Sequence, residues 1–310
     1  MKKVLLVITL LAICIPVSAS TVAYWRFEEG PADAAVSHGG AGNGVYYEGT
    51  ADSSGNGYGL SVFAEGWAGF VYKSDVAAPT FGGAANNYSV KNSGTYPALF
   101  TDTADGINAI QPSQFTIEAT FKLENGGYRT IVGRDSQGAY AADPALTALY
   151  FQAMPDNVLA IKFCDVSGYW HEAVSAANVF QSFDYGTNPN GDGVPWYSMA
   201  ATSDGATLSL YLRDVTNNGT WQLLKQTDMT ASGSPDTALT KGTGDGGDWN
   251  AGDWSVGRGL WNGGHTDRAF GFIDEVRISD SALAVSDFLV PEPMTLTLLG
   301  LGGLLLRRKS

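Results

Sequence analysis

An all-β fold, with two antiparallel sheets packed face to face as a sandwich, is predicted by three features of this chain. Apolar and polar residues alternate with period two along several stretches. Clusters of turn-forming residues separate those stretches, and no helical periodicity runs long enough to build a crossover. The clearest strand covers residues 115–123: Phe115, Ile117, Ala119, Phe121 and Leu123 share one face, and Thr116, Glu118, Thr120 and Lys122 the other. Leu208, Leu210 and Leu212 alternate in the same way with Thr207, Ser209, Tyr211 and Arg213. Both read as half-buried antiparallel strands, and a sheet with one apolar face needs a second layer to cover it.

Less regular runs at residues 22–27, 149–154, 158–164, 196–202 and 270–279 are further strands. Asn125-Gly126-Gly127, Pro155-Asp156-Asn157 and Ser203-Asp204-Gly205 supply the turns between them, because these residues tolerate or preset turn dihedrals. Residues 282–289 read as one or two turns of helix. The Gly/Asp/Asn-rich stretches 187–193 and 242–253 read as long loops on the rim. Trp25, Trp196 and Trp254 fall within strand patterns and are expected in the core, where a tryptophan buries much apolar area. No fixed-period repeat is present, which excludes a propeller or solenoid.

Both ends carry the marks of export. Lys2-Lys3, the apolar residues 4–17 and the small residues Val17-Ser18-Ala19 form a signal peptide, with cleavage expected after Ala19 and Ser20 as the nearest alternative. Cys14 leaves with it, and Cys164 alone remains, so no internal disulfide forms. At the other end Pro291-Glu292-Pro293 precedes the apolar residues 294–306 and a basic stop, Arg307-Arg308-Lys309. Thirteen helical residues reach roughly 20 Å, short of the ~30 Å hydrocarbon core, which suits a transient membrane contact. This tail resembles the PEP-CTERM sorting signal of bacterial surface proteins. The resemblance implies an exosortase-type membrane protease as partner and delivery to the cell surface or extracellular matrix. The expected organisation is a signal peptide at 1–19, one domain at 20–289 and a sorting tail at 290–310.

The formal charge is −13, and about −17 for the body once both tails are removed. An acidic surface of this size excludes nucleic acid as a partner and suits calcium or a neutral polysaccharide. Several body segments, in order, resemble the laminin-G-like or concanavalin A-like jelly-roll family. They are Ala23-Tyr24-Trp25-Arg26-Phe27-Glu28-Glu29-Gly30, Asp52-Ser53-Ser54-Gly55-Asn56-Gly57, the strand at 115–123 with Thr130-Ile131-Val132-Gly133-Arg134, the 196–201 and 208–213 pair, and Ser255-Val256-Gly257-Arg258 with residues 271–278. Residues 63–96 and 187–193 depart from the family pattern.

The resemblance implies a structural calcium, for which Asp52, Asn56 and Asp274 are the candidate ligands; the competing reading is that Asp52 and Asn56 only stabilise a turn. Asn188, Asn190, Asp192 and Gly193 match the start of an EF-hand loop, but Met199 stands where a bidentate Glu belongs, so the segment reads as a plain loop. His38, His171 and His265 are isolated and read as surface histidines. Asp274-Glu275 and Glu28-Glu29 are adjacent pairs, which alternation sends to opposite faces, so neither makes a glycosidase constellation. No Gly-x-Ser-x-Gly elbow occurs. No catalysis is therefore expected. Two aromatic clusters are candidate sugar platforms: Trp249, Asn250, Asp253, Trp261, Asn262 and His265, and Tyr169, Trp170 and His171. The function expected is non-catalytic binding of extracellular polysaccharide or matrix. The alternatives are a polysaccharide hydrolase or lyase on the same fold and a structural protein with no specific ligand.

Overall fold

The computed structural model describes residues 21–36, 46–63, 69–81, 83–92, 99–101, 106–244, 246 and 249–289. The signal peptide with its Ala19 cleavage site, the tail carrying Pro291, Glu292, Pro293, Arg307 and Arg308, and His38 lie outside the described residues. Among the described residues no helix is long and apolar enough to cross a membrane.

The described residues form two eight-stranded sheets and two small two-stranded ones. In spatial order the first runs Gln222–Asp228, Thr207–Asp214, Tyr197–Ser203, Phe115–Leu123, Gly271–Ser279, Ser89–Asn92 and Phe70–Lys73, with Thr21–Trp25 also paired to Gly271–Ser279. The second runs Trp170–Val174, Val158–Cys164, Leu149–Met154, Arg129–Arg134, Trp254–Val256, Leu99–Phe100, Leu60–Phe63 and Tyr46–Thr50. The ladders within both are antiparallel. Their inner faces meet in one core, where Phe115 of the first sheet packs edge-on to Phe163 of the second at 5.4 Å. Trp25 and Trp254 are buried in this core as alternation predicts.

The outer face of the first sheet differs from expectation. Thr116, Glu118, Thr120 and Lys122 are buried, so the Phe115–Leu123 strand is covered on both sides. The cover is a second apolar cluster that includes Trp196, Trp221, Phe272, Phe288 and Leu289. Phe288 lies edge-on to Trp221 at 5.0 Å and to Tyr211 at 5.5 Å. Of the one or two helical turns expected over residues 282–289, a single short one forms. The segment runs across the sheet with this 3₁₀ turn, Val285–Asp287, flanked by extended backbone. Beneath them Glu118 pairs with Arg277 and accepts the Leu289 N–H at 2.7 Å, which gives the buried carboxylate its partners.

Two more expectations need correction. His171 is not on the surface; it is buried, with Nε2 2.8 Å from Asp165 Oδ2. Simple alternation, expected to send Asp274 and Glu275 to opposite faces, does not hold at this pair. A bulge interrupts the register between Asp274 and Arg277, Glu275 has φ 49°, and both side chains are buried. The 187–193 loop closes on itself: Asn188 Oδ1 accepts the Asp192 N–H at 2.9 Å and Asn188 Nδ2 donates to the Asp192 carbonyl at 3.0 Å.

Candidate functional site

The outer face of the second sheet is the floor of an open cleft of about 510 Å³. Strand alternation builds that floor. Leu149, Phe151, Leu159, Ile161 and Phe163 point into the core, so Tyr150, Gln152 and Lys162 must point out. Cross-strand register then places Gly133, Tyr150, Lys162 and Glu172 in one row over four strands. Lys162 Nζ lies 3.5 Å from Glu172 Oε2, a cross-strand pair on the floor. A neighbouring position adds Gln152, which faces Thr130 and accepts its hydroxyl at 3.2 Å. Trp170 stands at the edge of the floor, its ring 5.7 Å from Tyr140 and 6.3 Å from Tyr150.

The wall is a hairpin of Gly259–Trp261 and Gly264–Thr266. Four contacts dock it. Tyr150 donates its hydroxyl to the Leu260 carbonyl at 2.5 Å, Asn262 N–H donates to Ala145 at 2.7 Å, Thr130 N–H donates to Asp267 at 2.7 Å, and the Trp249 indole N–H donates to Gly263 at 3.2 Å. The approach is close enough to require glycine in the floor, since a Cβ at Gly133 would sit 2.9 Å from the Arg258 carbonyl. Docked this way, the hairpin holds Trp261 over the cleft with 54% of its surface exposed, while Tyr128 lines it at 46%. Asp267 is the wall's carboxylate. Burial pushes its pKa up, and a Thr266 hydroxyl at 3.2 Å and the nearby Arg129 charge oppose the rise.

The structure therefore divides the candidate sugar residues. Trp261 and Trp170, one from each aromatic cluster, line a single cleft. Tyr169 is exposed beside Trp170, and Asn262 forms the hairpin turn with φ 51°. Trp249 and Asp253 are buried and offer no platform. They brace the loop behind the wall: Asp253 accepts the Asn250 N–H and the Asn108 amide, each at 2.8 Å. Tyr128, Tyr150, Gln152, Lys162, Glu172 and Asp267 were not singled out from the sequence. Alternation marks Tyr150, Gln152 and Lys162 as outward-facing, but nothing local says which outer sheet face stays open.

The brace and the hairpin carry two groups with opposed pH responses. Burial, helped by Asp135, pushes the Asp253 carboxyl up to about 7, so its contribution to stability is lost as pH rises from its ordinary 3.8 towards that value. Burial first, then the Arg258 and Arg268 charges, lowers His265 to about 3, so its contribution is lost as pH falls below the ordinary 6.5. Between roughly pH 4 and 6.5 the two slopes oppose each other. Asp253→Asn is expected to make stability rise more steeply with pH than in the wild type, and His265→Gln to make it fall more steeply. Each difference should be below the ~1.4 kcal/mol per pH unit of one full proton. Urea midpoints at three pH values check this, and parallel slopes in all three proteins would contradict it.

The calcium candidates do not converge. Both carboxylate oxygens of Asp52 are taken by donors: the N–H groups of Tyr24, Ser54 and Tyr58 and the Ser54 hydroxyl. Asn56 donates its amide to the Thr21 and Val22 carbonyls, each at 3.0 Å. These two residues organise a turn. Asp274 differs: Asn86 Nδ2 donates to its Oδ2 at 2.8 Å, and Asn86 Oδ1 and Asp274 Oδ1 are left buried with no hydrogen-bond partner. Two such oxygens suit a hard cation. Among the described residues no three His, Cys, Asp or Glu side chains group as a metal site, so further ligands would be carbonyls or water.

A Ser/Asp/His set also occurs, with Asp165 and His171 buried and Ser234 half-buried. Ser234 Oγ and His171 Nε2 both bond Asp165 Oδ2, at 2.5 and 2.8 Å. A nucleophilic triad needs the histidine between serine and carboxylate, and here the carboxylate is in the middle.

No protein-family model matches the sequence, and a search of curated proteins finds no match. Among solved structures the chain is similar to the binding domain of Paraclostridial Mosquitocidal Protein 1, at 13% identity and a TM-score of 0.49 over 86% of this chain. It is similar to the botulinum neurotoxin serotype G binding domain at 12% identity and a TM-score of 0.46, again over 86%. The chain spans about half the length of these two domains, 50% and 49%. A third is the CBM40 of Ruminococcus gnavus IT-sialidase bound to α2,6-sialyllactose, at 13% identity and a TM-score of 0.39, covering 56% of this chain and 80% of that one.

Proposed function

We propose that this protein binds a glycan, without catalysis, in the cleft between the outer face of the second sheet and the 259–266 hairpin. The observation that carries the reading is the exposed Trp261 indole held over a floor of polar side chains. An aromatic face can pack on the apolar side of a sugar ring while Gln152, Lys162 and Glu172 reach its hydroxyls. Rigid strands position the polar groups, so the site is largely formed before ligand arrives. A glycan array on the purified chain tests it, followed by titration of the strongest hit. Release of new reducing ends from a bound polysaccharide would instead favour a hydrolase or lyase, and a blank array a structural protein.

The finer reading is a laminin-G-like domain exported to the cell surface, processed through its PEP-CTERM-like tail by an exosortase-type protease. It is supported by the order of the sequence motifs. Leu289 is packed on the outer face of the first sheet through Glu118, and the cleft is on the outer face of the second.

We also propose a structural calcium, held by Asp274 and Asn86 in place of the turn residues Asp52 and Asn56. A chelator is expected to lower Tm by roughly 5–10 °C, the size of saturating a site about a hundredfold above its Kd. Asn86→Ala should remove that response. A Tm indifferent to chelator in the unaltered protein would dismiss the ion.

A further inference from the structure

We infer that the cleft selects uncharged glycans over sialylated or uronic ones, because among the described residues its lining presents two carboxylates, one ammonium and no guanidinium. The inference rests on the glycan-binding reading above and goes on to name the ligand class. Among the described residues, the acidic and basic side chains that line the cleft are Glu172, Asp267 and Lys162. The single cation is already matched, with Lys162 Nζ 3.5 Å from Glu172 Oε2. Asp267 remains on the opposite wall, with a neutral Thr266 hydroxyl as its hydrogen-bond donor.

Recognising a sugar carboxylate calls for the opposite equipment, a planar two-pronged donor or a cluster of cations. Two arginines near the cleft lie outside its lining, although the Arg129 charge is felt at Asp267. Arg129 donates to the Tyr128 and Asn125 carbonyls and lies over the Phe270 ring, 4.9 Å from its centroid. Arg258 is buried beneath the wall against Asp135. An anionic residue entering the cleft would meet Asp267 where burial has already weakened water's screening. It would also approach through the field of a chain whose formal charge is −13. A neutral sugar meets neither obstacle. Its hydroxyls can donate to Glu172 and Asp267 and accept from Lys162, so the same residues that repel an anion hydrogen-bond a neutral ligand.

The test is an array of neutral oligosaccharides, each printed beside its sialylated or glucuronylated counterpart, followed by titration of the best pair. Binding is expected on the neutral member, with the anionic one at least tenfold weaker at low ionic strength and the gap narrowing as salt is added. Asp267→Asn should shrink the ratio between the two by several-fold, whatever it does to each affinity alone. Anionic members bound as tightly as neutral ones would overturn the inference while leaving glycan binding intact. Silence from both classes would overturn the two together.

Discussion

Replacing Trp261 by alanine is expected to weaken glycan binding by roughly thirtyfold or more while leaving the fold in place. The estimate follows from the ~2 kcal/mol or more that tryptophans contribute at the centre of binding surfaces. Trp261 has 54% of its surface exposed, and the hairpin beneath it is docked by Tyr150, Asn262 and Trp249 rather than by its indole. Its removal should therefore change unfolding free energy by no more than ~0.5 kcal/mol. Trp170→Ala should also weaken binding, with a larger stability cost because its ring packs on Tyr140 and Tyr150. Calorimetric titration with the best array ligand, paired with urea unfolding, separates the two effects. Undiminished affinity in the Trp261 variant would remove the cleft from the binding reaction.

Arg258→Met should be the most destabilising single change, at about 3–5 kcal/mol, or a Tm fall on the order of 10 °C. Arg258 clamps Asp135 through both prongs, Nη1 to Oδ1 at 3.0 Å and Nη2 to Oδ2 at 2.7 Å, and neither side chain reaches solvent. Without the guanidinium the carboxylate stays buried and unmatched, which costs far more than the pair itself contributes. The damage should spread to the wall of the cleft. Asp135 N–H donates to Asp253, and Gly252 N–H donates back to Asp135, so the same residue fastens the loop that braces the hairpin. A Cβ at Gly252 would stand 2.3 Å from the Asn108 carbonyl, so this loop packs too closely there for any residue but glycine. Adding Asp135→Leu to Arg258→Met should recover most of the loss, because no buried charge is then left over. A single variant within 1 kcal/mol of wild type in urea would refute this account.

The two-layer architecture was legible because alternation is a local signal: Phe115, Ile117, Phe121, Leu208 and Leu210 declare an inner face wherever the strand ends up. Even the buried tryptophans Trp25 and Trp254 follow from their place in strand patterns. Half of the cleft was legible too, since Trp170 and Trp261 stood out as aromatic residues beside polar and glycine-rich turns. Glu172 and Asp267 were invisible, because a carboxylate on a strand or loop looks the same whether it faces bulk water or a ligand.

Local chemistry thus determined the strands, their inward faces and the acidic character of the surface, since each depends only on residues a few positions apart. Which outer face would be sealed and which left open was decided by tertiary structure. Phe288 and Leu289 travel from the far end of the domain to cover the first sheet, and the hairpin carrying Trp261 folds over the second. Register across four strands joins Tyr150, Lys162 and Glu172, and long-range hydrogen bonds set Asp267 opposite them. Contacts of that range arise from the competition among all apolar segments for two sheet faces, and no window of neighbouring residues contains that competition.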